Sequence, residues 1–151
     1  MEASNKTLEQ LLIEINESIN EKINGTIFLE LFKSRLIEEF NGLKGNDLKN
    51  LKLMPPDGKI LDKNIDIDNR KISYKIEFFN KSVSKIKYKI EKDFLFLVLE
   101  GLKSMTIYDN TDDEKTIYTN LSKNMGIVLS LDTVITSKVL ENSIILSITT
   151  N

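Results

Sequence analysis

The spacing of the hydrophobic residues changes once along the chain, and the change separates a helical part from a strand-rich part. Before residue 54, hydrophobic residues recur at every third or fourth position, as they do on one face of an α-helix. A turn at residues 55–58 follows, with two prolines that fix φ and a glycine that accepts positive φ. Beyond it, hydrophobic and polar residues alternate, as in half-buried strands. The sequence therefore predicts a mainly β protein with an N-terminal pair of α-helices.

Both predicted helices have one hydrophobic face. Residues 7–10 have the form of a capping box, which predicts that the first helix begins at Thr7, and Gly25 is suited to end it in the left-handed conformation. The second helix is expected from about residue 26 to residue 40. The faces that we expect to be buried consist of Leu8, Leu11, Leu12, Ile15, Ile19 and Ile23 in the first helix, and of Leu29, Phe32, Leu36 and Phe40 in the second.

The second part of the chain contains a series of short strand-like segments. They repeat at a spacing of roughly 8–12 residues, which is typical of a β-sandwich or β-barrel. The segments are 72–78, 86–90, 94–99, 105–108, 116–121, 127–131, 134–140 and 143–149, with a turn expected at residues 141–142. A chain of 151 residues is long enough for one core. We therefore expect one compact domain, in which residues 1–54 form a helical arm and residues 55–151 form a β-barrel.

Residues 84–150 resemble a cupin, the small jelly-roll β-barrel. The segment Phe-Leu-Val-Leu-Glu-Gly at residues 96–101 resembles the strand of that family that ends in a glycine turn. Residues 121–129 resemble the second cupin motif, and residues 143–148 resemble the closing strand. The sub-family with the most similar second motif is that of the sugar-nucleotide ketoisomerases. The resemblance implies a single-domain jelly-roll barrel with a binding site in its interior.

Histidine and cysteine are both absent from the chain. Histidine is the commonest metal ligand and the side chain that titrates near neutral pH, so histidine-dependent triads, dyads and metal sites are excluded. In the cupin motifs, the metal-ligand positions correspond here to Tyr88, Ile90, Phe94 and Ile135, and Ser130 stands for a proline of the second motif. The resemblance therefore implies an apolar or aromatic filling in place of the metal site. We expect no metal and no cofactor.

A second register of the first motif places Lys87 and Lys89 at the histidine positions. Alternation along the strand puts Lys87 and Lys89 on the face opposite Tyr88 and Ile90. Burying a lysine costs far more free energy than burying an isoleucine, so we expect Tyr88 and Ile90 to point into the barrel. In the alternative register, desolvation would lower the pKa of an inward lysine towards the range of a general base.

Three functions are compatible with these patterns. The first is a metal-free, non-catalytic barrel that mediates assembly or binds a small carbohydrate-like or apolar ligand, with Tyr88, Ile90, Phe94, Ser130 and Ile135 as the candidate ligand-binding residues. The second is a sugar-nucleotide isomerase or epimerase that uses tyrosine or lysine instead of histidine. The third is a partner-docking protein that acts through its N-terminal helices. No catalytic residue is assigned, because no acid–base pair is evident in the sequence.

Composition and charge narrow the expected partners. The net charge is −2, and only Arg35 and Arg70 are arginines, which argues against nucleic acid and anionic membrane as partners. Neither a signal peptide nor an apolar run of membrane-spanning length is evident in the sequence, so a cytoplasmic protein is expected. Jelly-roll barrels expose sheet edges and faces that association covers, and we therefore expect a homodimer.

Overall fold

A computed structural model of the protein describes residues 7–42, 61–67, 70–82, 86–109 and 112–150. Two helices precede seven strands: α1 (Leu8–Glu17), α2 (Gly25–Gly42), β1 (Leu61–Ile67), β2 (Arg70–Phe79), β3 (Ile86–Lys89), β4 (Phe94–Asp109), β5 (Asp112–Ser122), β6 (Gly126–Leu129) and β7 (Val134–Thr150). The predicted mainly β fold with an N-terminal helix pair is confirmed. The boundary expected at residue 54 lies outside the described residues. Neither described helix is long and apolar enough to cross a membrane.

β4 and β7 are the longest strands, and they pair antiparallel along most of their lengths. The first half of β4 and the second half of β7 belong to one part of the sheet, which β2, β1 and β6 extend; we call it the helix-side layer. The remaining halves of β4 and β7 form the second layer with β3 and β5. The turn expected at residues 141–142 was wrong, because β7 continues through these residues from one layer into the other.

A β-bulge at Gly101 marks the passage of β4 from one layer into the other. Gly101 has φ of +99°, and the pairing of β4 with β7 shifts register between Val98 and Lys103. The buried Ser143 of β7 secures the bulge, since its Oγ accepts a hydrogen bond from the Leu102 amide at 3.1 Å. One extra residue on a strand reverses the face to which the following side chains point. β4 therefore contributes even-numbered side chains to the interior before the bulge and odd-numbered ones after it.

The two helices cover the outer face of the helix-side layer. Thr7 Oγ1 accepts a hydrogen bond from the Gln10 amide, and the Gln10 side chain accepts one from the Thr7 amide, so the expected capping box is present. Gly25 does not end α1, which stops at Glu17; Gly25 instead begins α2 with φ of +65°. The outer cluster consists of Leu8, Leu11, Leu12, Ile15, Ile19, Phe28, Leu29, Phe32, Leu36 and Phe40 from the helices, and of Ile72, Tyr74, Ile76, Leu95, Leu97, Leu99, Ile144, Leu146 and Ile148 from the sheet.

A second hydrophobic cluster lies between the two layers, and we call it the barrel interior. Its buried members are Ile90, Phe96, Val98, Met105, Leu121, Leu129, Ile135 and Ile145, with Phe79, Tyr88, Phe94, Ile107 and Ile127 partly buried against them. The helix-side layer is therefore buried on both faces. This explains why residues 94–99 are continuously hydrophobic, since alternate side chains enter the outer cluster and the barrel interior.

Candidate functional site

The barrel interior contains one buried lysine, Lys103, among the residues whose side chains the structure describes. It lies on β4 just after the bulge, and it is only 4% exposed. Its Nζ atom is 4.6 Å from the centre of the Phe96 ring and 5.4 Å from that of the Phe79 ring. Both rings belong to the helix-side layer, so Lys103 extends from its own layer to the opposite one. An ammonium group over aromatic faces is attracted by the ring quadrupoles.

Burial makes the ammonium form of Lys103 costly. Desolvation lowers the pKa of Lys103 from 10.5 to about 8, while the Glu77 carboxylate acts in the opposite direction. No carboxylate of the described residues lies within the 4.0 Å salt-bridge distance of Lys103 Nζ. Glu77 Oε1 instead lies 3.9 Å from Lys75 Nζ, and the Glu77 side chain is 26% exposed. A substantial fraction of Lys103 is therefore an uncharged amine slightly above neutral pH.

Tyr88 is the second polar group of the barrel interior. It lies on β3, opposite Ile135 of β7, and its ring is half-buried. Burial is the largest influence on the Tyr88 phenol and raises its pKa; Ser137 opposes this through a side-chain hydrogen bond, and the Glu77 carboxylate adds to it. The phenol is therefore uncharged at neutral pH and has a hydroxyl available as donor or acceptor. Glu77 acts electrostatically on both Tyr88 and Lys103.

The structure brings four of the five sequence-predicted ligand-binding residues to the barrel interior. Ile90 and Ile135 are fully buried there, and Tyr88 and Phe94 pack against the cluster with partial exposure. Ser130 does not join them. It is exposed in the turn between β6 and β7, where its Oγ lies 3.1 Å from Thr133 Oγ1 and its carbonyl oxygen accepts a hydrogen bond from the Thr133 amide. A turn residue that is bonded within its own turn cannot also line the interior.

The alternative register, with Lys87 and Lys89 inside, differs from the structure. Lys87 is exposed, with its Nζ 5.3 Å from the centre of the Tyr108 ring. Lys89 is 63% exposed at its side chain, and its Nζ lies 3.4 Å from Asp132 Oδ1. Both side chains therefore lie on the face of β3 opposite Tyr88, as strand alternation requires.

Sequence reasoning missed Lys103. Phe96 and Val98 point inward, so uninterrupted alternation along β4 assigns Lys103 to the outer face. The signal that would have identified it is Gly101, because a glycine inside a strand often marks a bulge. The cupin resemblance treated Gly101 as the end of a strand, and the structure instead continues β4 through it.

Two non-glycine residues in the turns that flank β6 have positive φ. The φ angle is +65° at Asn124 and +73° at Asp132. This left-handed region favours glycine, and asparagine and aspartate are the other residues that adopt it most readily. The Asn124 side-chain amide donates to Asn41 Oδ1 at 2.9 Å, so this turn is also attached to the C-terminal end of α2.

The barrel interior offers mainly apolar contacts and a few polar ones. Among the described residues, no three aspartate or glutamate side chains come together as potential metal ligands. The Lys103 amine provides a hydrogen-bond donor or a nucleophile, according to its protonation, and the Tyr88 hydroxyl provides a donor or acceptor. This is the usual composition of a small-molecule site, in which hydrophobic walls surround a few orienting polar groups.

The solved structures that resemble the protein include cupins. A cupin superfamily protein from Desulfitobacterium hafniense is 17% identical, with a TM-score of 0.42 over 64% of this chain and 81% of that one. The CENP-C cupin domain of Drosophila melanogaster is 10% identical, with a TM-score of 0.48 over 72% of this chain and 100% of that one. The EutQ protein of Clostridium difficile is 12% identical, with a TM-score of 0.41 over 62% and 69% of the two chains. No protein-family model matches the sequence, and neither does any curated protein. None of these similarities assigns a ligand, a partner or a reaction to this chain.

Proposed function

We propose that the protein binds a small, mainly apolar ligand in the barrel interior and that Lys103 contacts an oxygen acceptor of that ligand. The observation that carries the proposal is the burial of Lys103 between Phe96 and Phe79 without a carboxylate at salt-bridge distance among the described residues. An unpaired buried charge costs several kcal/mol, whereas a cation–π contact contributes about 2 kcal/mol when desolvated. A ligand oxygen in contact with the amine would supply the missing hydrogen bond.

The surroundings of Lys103 favour an uncharged ligand. Glu77 exerts a negative potential on the site, and it disfavours a carboxylate or phosphate at the same place. The walls near Lys103 are aromatic or aliphatic, with Phe96, Phe79 and Met105 as examples. Flat, apolar molecules stack well on aromatic rings. A ring or short hydrocarbon with one hydroxyl or carbonyl group therefore matches the site best.

The partly buried residues mark where the barrel interior meets solvent. Phe79, Tyr88 and Phe94 border the barrel interior and retain some exposure, and the Glu77 side chain is 26% exposed. Tyr88 pairs with Ile135 across β3 and β7, and Ile90 follows on the same face of the chain. We propose that Tyr88 orients the ligand and that Ile90 and Ile135 form the wall beside it.

Binding of benzyl alcohol, compared with toluene, tests the proposal. Both carry a phenyl ring, but only benzyl alcohol has an oxygen acceptor. In calorimetric titrations the unmodified protein is expected to prefer benzyl alcohol, and Lys103→Met is expected to weaken its binding by roughly tenfold, the value of about one hydrogen bond. Lys87→Met, which alters an exposed lysine on the same layer, should leave the affinity unchanged. Equal affinities of the unmodified protein and Lys103→Met for benzyl alcohol would contradict the proposal.

The two other functions have less structural support. The isomerase hypothesis needs an acid–base pair, and Lys87 and Lys89, its alternative lysines, are both exposed. The docking hypothesis needs a hydrophobic helix surface that is free, but most of the hydrophobic residues of α1 and α2 are buried against the sheet, and Ile27 and Leu31 are the exposed large ones among those described. Non-catalytic binding without a metal ion or other cofactor, in a cytoplasmic protein, is therefore the function that we propose.

A further inference from the structure

We propose that the barrel interior captures aldehydes or ketones covalently, through an imine formed by the Nζ atom of Lys103. The inference deepens the proposed function and rests on it, since the carbonyl compound must first bind between Phe79 and Phe96. It specifies the ligand oxygen as a carbonyl oxygen and turns a reversible contact into a reversible bond. It assigns to Lys103 a chemistry that none of the exposed lysines can carry out as readily.

The position of Lys103 provides the geometry for this reaction. Its Nζ lies 4.6 Å from the Phe96 ring centre and 5.4 Å from the Phe79 ring centre, so the amine is held beside two apolar surfaces. An aromatic or aliphatic carbonyl compound packed on these rings brings its carbonyl carbon close to the amine. Fixing two reacting groups next to each other removes much of the entropic barrier of a bimolecular step.

Protonation at the site also favours the reaction. Burial lowers the pKa of Lys103 to about 8, so roughly a quarter of the amine is uncharged at pH 7.5 and can act as a nucleophile. Exposed lysines with ordinary pKa values remain almost entirely protonated at the same pH. The uncharged amine also lacks the desolvation penalty of the ammonium form, which is compatible with its apolar surroundings.

The reaction balances without any oxidant or reductant. The Nζ lone pair attacks the carbonyl carbon, a C–N bond forms, and the electrons of the C=O π bond move to the oxygen. A proton then passes from the nitrogen to this oxygen and gives a carbinolamine. Loss of the hydroxyl group with one further proton releases water and leaves the C=N bond.

One carboxylate is suited to assist the proton transfers. Glu77 acts electrostatically on Lys103, and its side chain is 26% exposed and therefore in contact with solvent water. Lys103 is the nucleophile in this scheme, and Glu77 and solvent water assist it.

Reductive trapping with benzaldehyde and sodium cyanoborohydride at pH 7.5 tests the inference. Cyanoborohydride reduces an imine to a stable secondary amine, so each captured benzaldehyde adds one benzyl group to the protein mass. At limiting benzaldehyde, peptide mapping is expected to locate this group at Lys103, with a labelling rate roughly tenfold above that of any exposed lysine. Lys103→Met should lose the rapid phase, and Lys87→Met should retain it. Mapping on the unmodified protein decides the result even where the Lys103 variant does not fold.

Benzyl alcohol separates failure of this inference from failure of the proposed function, because it has the ring but no carbonyl carbon. Benzyl alcohol binding together with labelling confined to exposed lysines would overturn covalent capture and leave the binding function intact. If benzyl alcohol does not bind and Lys103 is not labelled, both the inference and the proposed function are overturned. Rapid labelling at Lys103 that benzyl alcohol slows by competition supports both.

Discussion

The Nζ atom of Lys103 lies 4.6 Å from the centre of the Phe96 ring, although the two residues are an odd number of positions apart on the same strand. In a regular strand they would point to opposite faces. The irregular pairing around Gly101 removes this conflict, since the register shifts between Val98 and Lys103 change the face to which the following β4 side chains point. This backbone irregularity places an amine inside an otherwise mainly hydrophobic barrel.

Replacing Lys103 with methionine is expected to change how stability depends on pH. The pKa of Lys103 is about 8 in the folded protein against 10.5 as its ordinary value, so the unfolded chain binds more protons between these limits. The contribution of Lys103 therefore makes the folded protein more stable as the pH rises from about 8 to 10.5. Below pH 8 the lowered pKa of Lys103 reduces the free energy of unfolding by about 3 kcal/mol, at about 1.4 kcal/mol per pKa unit.

The measurement is urea unfolding of both proteins at a series of pH values. The unfolding free energy of Lys103→Met minus that of the unmodified protein should be largest near pH 7 and should decrease towards pH 10. Contributions common to both proteins cancel in the difference. A difference that is independent of pH would show that the pKa of Lys103 is not lowered.

Replacing Gly101 with alanine is expected to destabilise the protein by at least about 2 kcal/mol, because the site combines positive φ with a steric clash. A Cβ atom there would overlap the Ser143 side chain and approach the Asn142 carbonyl oxygen to 2.5 Å. Gly42→Ala is the matched control, since nothing lies within 4 Å of its added Cβ. Urea unfolding measures both, and equal stabilities of the two variants would argue against a required bulge.

Replacing Tyr88 with phenylalanine is expected to weaken ligand binding while leaving the fold intact. The change removes one hydroxyl and its hydrogen bond with Ser137, which contributes about 1 kcal/mol to stability. The ring remains packed against the barrel interior. Calorimetric titration with benzyl alcohol measures the loss of affinity, and thermal unfolding measures the stability. Lys87→Ala should change neither quantity; weaker binding in this variant but not in Tyr88→Phe would indicate a site on the outer face.

Replacing Phe32 with alanine is expected to cost about 3–5 kcal/mol of stability, as for other large aromatic residues in a core. Phe32 is fully buried under the sheet, with its ring centroid 5.4 Å from that of Phe28. Leu31→Ala on the same helix is the control, because Leu31 is 39% exposed, and its effect should be about 1 kcal/mol. Unfolding in urea gives both values. If Phe32→Ala destabilised the protein as little as Leu31→Ala, the helix pair would not be part of the core.

The protein is expected to be a homodimer in solution. β1 and β5 are the end strands of the main sheet order, and the backbone groups of edge strands are available for pairing with another chain. Symmetric pairing is the commonest way in which such surfaces are covered. Light scattering at tens of micromolar protein should therefore give twice the mass of the chain, and a mass equal to that of one chain would refute the prediction.

The sequence by itself determined the local features of this protein. Helical periodicity and the capping box at Thr7 indicated the start of α1 correctly, and the hydrophobic run at residues 94–99 indicated a strand buried on both faces. Strand alternation also separated the faces of β3, with Tyr88 inward and Lys87 outward. These features depend on near neighbours in the chain, and local sequence patterns report them directly.

Only the tertiary structure decided how the two layers meet and what lies between them. Residues 134–140 and 143–149 read as separate strands, but β7 runs through both, because pairing with β4 carries it across the bend. The same pairing makes Gly101 a bulge rather than a strand end. The inward position of Lys103 follows from this change of register. Its lowered pKa follows from desolvation by side chains distant in sequence, so neither property can be read from a strand considered alone.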